Sequence, residues 1–430
     1  MNILWATPWN NDSAIARVSA MVVEEFHKMG VRVNVVRTEI AELVASGAFP
    51  NPPLARFPFQ LGGLDEYDAV VVNFGDNWPF HGRGLQFLAT IPCIAVLHDA
   101  TLFNFYSGQA FFNGGLDAVE RFRKTAALKY GPLDYSATEN EVRDADWGMF
   151  AAKQWPCLDE IATQGRAVVV HSNHCVEMIP QSIRCKTHVL MLPAFPTPWK
   201  QPPPPLLDGG MIRLTTIGHI NANKRVSSVI KAIAASAALR ERVVYVLAGP
   251  IDDAARDSLQ ALATRLGFQG LQILERVTDR EMSECLNASH IVCCLRYPTI
   301  EGGSASVLEV LQYGHPTLVT DSGFYRQIPS EYVWKVDQNH ESADITHHLE
   351  SICRDYPKAV EKARHAPAWV RENCSAKRYA DKILELCVSL PPSMAISQAL
   401  EQLRAKAASF GVTANDPLHQ RLSSVSKSLF

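Results

Sequence analysis

The run from Tyr297 to Gly323, YPTIEGGSASVLEVLQYGHPTLVTDSG, constrains the fold of this chain more than any other stretch. Just before it, Ile291 to Leu295 form a continuous apolar run of strand length. Two glycines and two serines follow the next acid. Ser304 to Tyr313 then shows helical periodicity, with Val307, Val310 and Leu311 on one face. Gly314 is a helix stop with Pro316 just beyond it, and Thr317 to Thr320 returns as a strand. Strand, glycine turn, helix and strand in this order build parallel sheets.

The turn carries the chemistry. Gly302 and Gly303 allow a backbone to approach a ligand closely. The helix that starts at Ser304 presents free N–H groups and a positive dipole end suited to phosphate. Glu309, inside a helix that must pack on a sheet, needs hydrogen-bond partners, and ribose hydroxyls would serve. Read singly, Glu301 also suits a solvated loop and Glu309 an exposed helix face. Taken with the glycines and the following strand, the pair points to a site.

EGGSASVLE followed by GHPTLVTDSG resembles the E-x7-E region of retaining glycosyltransferases of family 4, which have the GT-B fold. The resemblance extends over most of residues 1 to 390. It implies two Rossmann-like parallel-sheet domains facing a cleft, with a C-terminal helix crossing back to the first. It also implies that Glu301 meets the donor sugar and that Glu309 holds the nucleotide ribose.

At 430 residues the chain suggests two or three domains. With 47% hydrophobic and 20% charged residues it should be globular throughout. A net charge of −3 argues against a nucleic-acid partner, which needs a basic surface. The ten cysteines show no CxxC pairing, and Cys293 and Cys294 sit side by side in an expected buried strand. That pattern fits a reduced, cytoplasmic protein without disulfides or zinc. No apolar run approaches the roughly 18 residues of a spanning helix. Membrane association is therefore expected to be peripheral at most, at the inner face. Oligomeric state stays open.

From the N-terminus, Asn2 to Thr7 reads as a strand, followed by PWNNDS and a helix striped with Ile15, Val18, Val22 and Phe26. Asp12 or Ser13 would cap it, Gly30 stops it, and VRVNVV is the next strand. The family resemblance implies glycines in this first turn, where Asn10, Asn11 and Asp12 stand instead. Asn10 and Asn11 thus become acceptor-side candidates. Ala69 to Asn73 is a buried strand ending in NFGDNWPFHGRG. Because open α/β sheets bind ligands at strand C-termini, Asn73, Asp76 and His81 are cleft candidates on the acceptor side. Ile94 to Leu97 is another strand, ending in His98, and the family places a His here beside the donor sugar. Residues 101 to 160 read as a helical excursion whose aromatics, Phe103, Phe105, Tyr106, Phe111 and Phe112, suit either a pocket or a core. Asp144-Ala-Asp146 formally matches a DxD metal motif but lacks a preceding buried strand, and reads as a solvated face.

Pro193 to Pro205, PAFPTPWKQPPPP, reads as a semi-rigid linker. It divides an N-terminal, acceptor-side domain (1–199, completed by about 376–430) from a donor-nucleotide-binding domain (206–375). In the second domain Ile212 to Ile217 is a strand, followed by GHINANKR and a helix from Val226 to about Leu239. The family commonly has Gly-Arg here with a Lys five residues after the Arg, the two cations holding the pyrophosphate. Gly218 and Lys224 match, but His219 takes the Arg position, so Arg225 or Arg296 is expected to supply the missing charge. Residues 343 to 389 read as helices. Ile396, Leu400, Leu403, Ala407 and Phe410 form a further apolar stripe.

Together with the family resemblance, these features imply one expected activity. A hexose moves from a nucleoside diphosphate sugar to a hydroxyl of a sugar, lipid-linked or protein acceptor, with retention and without a cofactor or metal, as in bacterial polysaccharide, glycolipid or glycoconjugate synthesis. Glu301, His98 and Lys224 are the candidate catalytic residues. Gly218, His219, Arg225, Gly302, Gly303, Ser304 and Glu309, with Lys224, are the candidate donor site. Two rivals stay open: a GT-B sugar-nucleotide epimerase, and a catalytically silent partner subunit. A dehydrogenase is disfavoured, since no GxGxxG follows the first strand.

Overall fold

The computed structural model describes residues 1–10, 12–40, 67–134, 147–206 and 210–390. Its inner strands are short runs of mostly β-branched and aliphatic residues, largely buried on both faces as in parallel sheets, whereas the edge strands Thr187–Val189 and Leu271–Leu274 are partly exposed. The first sheet contains β1 (Asn2–Thr7), β2 (Arg32–Arg37), β3 (Ala69–Phe74), β4 (Ile94–Leu97), β5 (Ala167–Val170) and β6 (Thr187–Val189). Their order is β2-β1-β3-β4-β5-β6, and every pair is parallel.

The second sheet contains β7 (Ile212–Ile217), β8 (Val243–Ala248), β9 (Leu271–Leu274), β10 (Ile291–Cys294), β11 (Thr317–Thr320) and β12 (Trp334–Val336). It too is wholly parallel, in the order β12-β11-β10-β7-β8-β9. Each sheet reverses its winding once, between β1 and β3 and between β7 and β10. Such switch points open a crevice at the carboxyl ends of the strands, where ligands bind. The loops after β1, β3 and β4 therefore face those after β7 and β10.

The two domains touch through backbone. Asp99, just past β4, forms an antiparallel bridge with Glu301, past β10. The Ala100 N–H donates to Ile300 O at 2.9 Å, and the Gly302 N–H donates to His98 O at 3.1 Å. The last helix among the described residues, Ala376–Ser389, returns from the second domain. Its Tyr379, Ala380 and Ile383 share a core with Val18, Val22 and Phe26 of the first helix, Ala14–Lys28.

Ser13, not Asp12, caps that first helix, accepting from the Ala16 N–H. The helix expected from Val226 to Leu239 ends at Ala235, because Ser236 turns extended and caps a new one, Ala237–Arg242. Pro193 to Pro205 has no regular structure, as its prolines require, but it is fastened down. The Ala194 N–H donates to Cys374 O, and Lys200 Nζ donates to Gln312 O. In the excursion, Phe103 and Phe105 are core residues, whereas Phe111 and Phe112 are more than half exposed. All ten cysteines are free thiols. Among the described residues no helix is long and apolar enough to cross a membrane. Asn11, Asp144-Ala-Asp146 and the stripe from Ile396 to Phe410 lie outside the described residues.

Candidate active site

Between the domains lies a cavity of about 420 Å³. Asp12, Asp76, His81, His98 and Asp99 line it from the first domain, and Arg296, Glu301, Gly303 and Ser304 from the second. Two residues past β10 stands Arg296, whose Nε donates to Glu301 Oε1 at 2.8 Å and whose Nη1 donates to Leu295 O at 2.9 Å. Glu301 is thus held by one oxygen. Its other oxygen, Oε2, is buried and has no hydrogen-bond partner among the described residues. A buried acceptor left unsatisfied costs about 1–3 kcal/mol, which a ligand hydroxyl would relieve.

The glycine pair does more than the sequence suggested. A Cβ on Gly302 would lie 2.5 Å from His98 O and 3.1 Å from Cys175 Sγ. On Gly303 it would lie 3.1 Å from Leu192 Cβ and 3.2 Å from His171 Cβ. Both residues are glycine because the other domain presses against them. The Gly302 amide, expected to face a phosphate, is instead taken by His98 O. Ser304 precedes the helix Ala305–Leu311 with extended backbone, and its Oγ lies 3.3 Å from Ser306 Oγ.

Lys224 is buried at the turn after β7, where its Nζ donates to Ile217 O. Burial, with the Arg296 guanidinium nearby, pulls its ammonium down to about 7. Gly218 has φ +79°, and a Cβ there would lie 3.3 Å from Lys224 Nζ. His219 is exposed. Arg225 does not join this group. Its Nε donates to Glu341 Oε1 at 2.9 Å and its Nη2 donates to Oε2 at 2.6 Å, a buried ion pair. Arg225 instead borders a separate cavity of about 500 Å³, with Asn221, Arg265 and Tyr297. The cation beside Glu301 is therefore Arg296. Glu309 is half-buried; burial pushes its carboxyl up, Arg17 pulls it down, and Asp279 adds an upward push.

On the first domain the polar candidates mostly brace one another. Asn10 is fully buried, and its Oδ1 accepts from the Asp12 N–H at 2.9 Å, shaping the turn after β1. Asn73 is also fully buried; its Nδ2 donates to Ala6 O at 3.1 Å and its Oδ1 faces His98 Nε2 at 3.0 Å. Neither is placed as an acceptor ligand. Asp76 accepts from the Phe105 N–H at 2.9 Å and from Asn104 Nδ2 at 2.7 Å, holding the start of the helix Phe103–Tyr130. Burial pushes its carboxyl up, and Asp99 adds to the shift. His81 Nδ1 faces Asn73 O at 3.0 Å, and burial pulls the ring down to about 4.

His98 was expected to offer its ring to a sugar, but both nitrogens are engaged within the protein. Nε2 faces Asn73, and Nδ1 lies 3.0 Å from His171 Nε2. His171 Nδ1 in turn faces Leu190 O at 2.9 Å. The sequence reading passed over His171 and left Arg296 as an alternative. The only signal for either was its place directly after a buried strand. Among the described residues no cluster of three His, Cys, Asp or Glu side chains is arranged to hold a metal ion.

Residues 199–386 match the family model described as glycosyl transferases group 1. No curated protein sequence matches the chain. Among solved structures it is similar to sucrose-phosphate synthase of Thermosynechococcus elongatus, with a TM-score of 0.58 and 13% identity over 90% of this chain and 98% of that one. Anabaena HepE in complex with UDP-glucose gives 0.57 and 14%, over 91% of this chain and 100% of the other. WaaG, a glycosyltransferase of lipopolysaccharide biosynthesis, gives 0.55 and 14%, over 89% and 99%. At such identities the likeness establishes architecture. The chain has the two-domain GT-B fold, and its residues 199–386 match the glycosyl transferases group 1 family, which together support glycosyl transfer.

Proposed function

We propose that the protein is a retaining, family 4-like glycosyltransferase that moves a hexose from a nucleoside diphosphate sugar to an acceptor hydroxyl. One observation carries this reading. Glu301 Oε2 is a buried, unpartnered acceptor at the interdomain cavity, with Arg296 fixing the other oxygen. It suits a sugar hydroxyl and would be costly to leave without one.

Residues 206–375 form the donor side. Glu309 binds the ribose. Lys224 stabilises the charge that develops on the β-phosphate as the nucleoside diphosphate departs, helped by the backbone at Gly303 and Ser304. Gly218 keeps the loop close to Lys224. Residues 1–199, completed by the returning C-terminal helix, form the acceptor side, with Asp76 and His81 lining the cavity. No protein nucleophile is required, because the acceptor approaches from the face that the phosphate leaves and passes its proton to that phosphate. The HepE structure in complex with UDP-glucose supports a nucleotide-sugar donor on this fold.

Thermal shift against UDP-, GDP- and dTDP-sugars tests the reading. A donor at 100 times its Kd should stabilise the protein by about 2.7 kcal/mol. Anomeric proton couplings of the product then read the stereochemistry. No stabilisation by any donor, or a product of inverted configuration, contradicts the proposal.

A further inference from the structure

Both outer ends of the His98–His171 pair face oxygens that only accept hydrogen bonds. At one end Asn73 Oδ1 lies 3.0 Å from His98 Nε2. The amide cannot be turned round to offer its nitrogen, because Asn73 Nδ2 is held 3.1 Å from the carbonyl of Ala6, where an oxygen would be repelled. At the other end Leu190 O lies 2.9 Å from His171 Nδ1. Each outer nitrogen must therefore carry a hydrogen. In two neutral rings those are all the ring hydrogens available, which leaves bare lone pairs on His98 Nδ1 and His171 Nε2. These two atoms are only 3.0 Å apart, and the contact is buried. A hydrogen between them resolves the clash.

From this arrangement we infer that His98 and His171 share a third ring proton, forming an imidazole–imidazolium pair with one positive charge beneath the cleft. His171 acts as the positioning residue that fixes His98. Burial alone works against the charge, pulling His98 down and His171 to about 4. The two acceptors work for it, and the acids Asp99 and Glu301 pair through their backbones beside His98. The other groups facing the pair are His81, which repels a charge on His98, the Cys175 thiol beside Gly302, and Tyr379, whose ring centroid is 5.9 Å from that of His171. The charge offsets the acids around the transferring sugar at the same strand end whose carbonyl, His98 O, receives the Gly302 amide.

Neutron diffraction from crystals of the full chain, exchanged into heavy water near neutral pH, counts the ring deuterons directly. Three on the four ring nitrogens are expected; two, one per ring, overturn the inference. In solution, the ring 15N shifts of His98 should show imidazolium character that disappears in His171→Gln, where a neutral amide donates to His98 Nδ1 at every pH. Unchanged shifts contradict the shared proton. Only a third measurement rests on the transferase reading. The alkaline limb of kcat/KM should change from a two-proton to a one-proton dependence in His171→Gln, with Lys224 supplying the proton that remains. The same limb in both proteins means that the pair does not serve transfer.

Discussion

The amide of Gly302 and the carbonyl of His98 meet across the interdomain cleft at 3.1 Å, and a side chain at 302 would place its Cβ 2.5 Å from that oxygen. The closed arrangement of the domains thus depends on a missing side chain. Gly302→Ala should force the bridge apart at a cost of about 1–3 kcal/mol, the usual range for overpacking. Lys224 and Glu309 both belong to the second domain, so nucleoside diphosphate affinity should stay within a few-fold. Transfer should fall by at least tenfold. Calorimetry on the variant, beside its transfer rate, checks this; unchanged transfer would mean that the bridge has no role in the reaction.

Lys224 supplies a second prediction. Held near 7 by burial and by Arg296, it is only partly charged in the empty protein at neutral pH. A diphosphate beside it favours the charged form. Binding should then take up about half a proton near pH 7, seen as a buffer-dependent enthalpy. Lys224→Met should abolish the uptake and weaken binding by about 10- to 150-fold, equivalent to the roughly 1.5–3 kcal/mol of a charged hydrogen bond. In the proposed site Lys224 and backbone amides take the place of a metal, so binding should persist in EDTA. Buffer-independent heats, or loss of binding in EDTA, would refute this.

The strands were legible because parallel strands buried on both faces leave continuous β-branched runs. AVVV after Arg166 and IAVL after Cys93 have no other natural reading. The lack of regular structure from Pro193 to Pro205 was legible from its prolines, and the strand, glycine turn and helix around Glu301 and Glu309 from their spacing. What could not be read was tertiary pairing. Glu341 neutralises Arg225 from 116 positions away, and His171 reaches His98 over 73. The glycines were rightly singled out as sites of close approach, but what approaches Gly302 is the other domain's backbone.

Asp99 gives a pH-dependent test of stability. Burial raises its carboxyl from 3.8 to about 7, with Glu301 adding to the rise and the Asp76 N–H opposing it. Folded Asp99 holds its proton where the unfolded chain has lost it, so this group's contribution falls as pH rises from about 4 to about 7. Asp99→Asn should relieve that loss. Relative to wild type, the variant should gain on the order of 1–3 kcal/mol between pH 5 and pH 8 in denaturant titrations. An equal difference at both pH values would place the Asp99 pKa near its ordinary value.

The central claim is that Glu301 acts on the transferring sugar while Glu309 only holds the donor. Steady-state kinetics of Glu301→Ala and Glu309→Ala, with the donor identified by thermal shift, test it most directly. Ribose binding is the same in ground and transition states, so Glu309→Ala should raise the donor KM and leave kcat nearly unchanged. Glu301 meets the sugar where charge and geometry change, so Glu301→Ala should lower kcat, with little effect on KM. Each effect should lie at about 10- to 150-fold, from roughly 1.5–3 kcal/mol per charged hydrogen bond. Near-wild-type kinetics in both variants, or the two effects interchanged, would contradict the account.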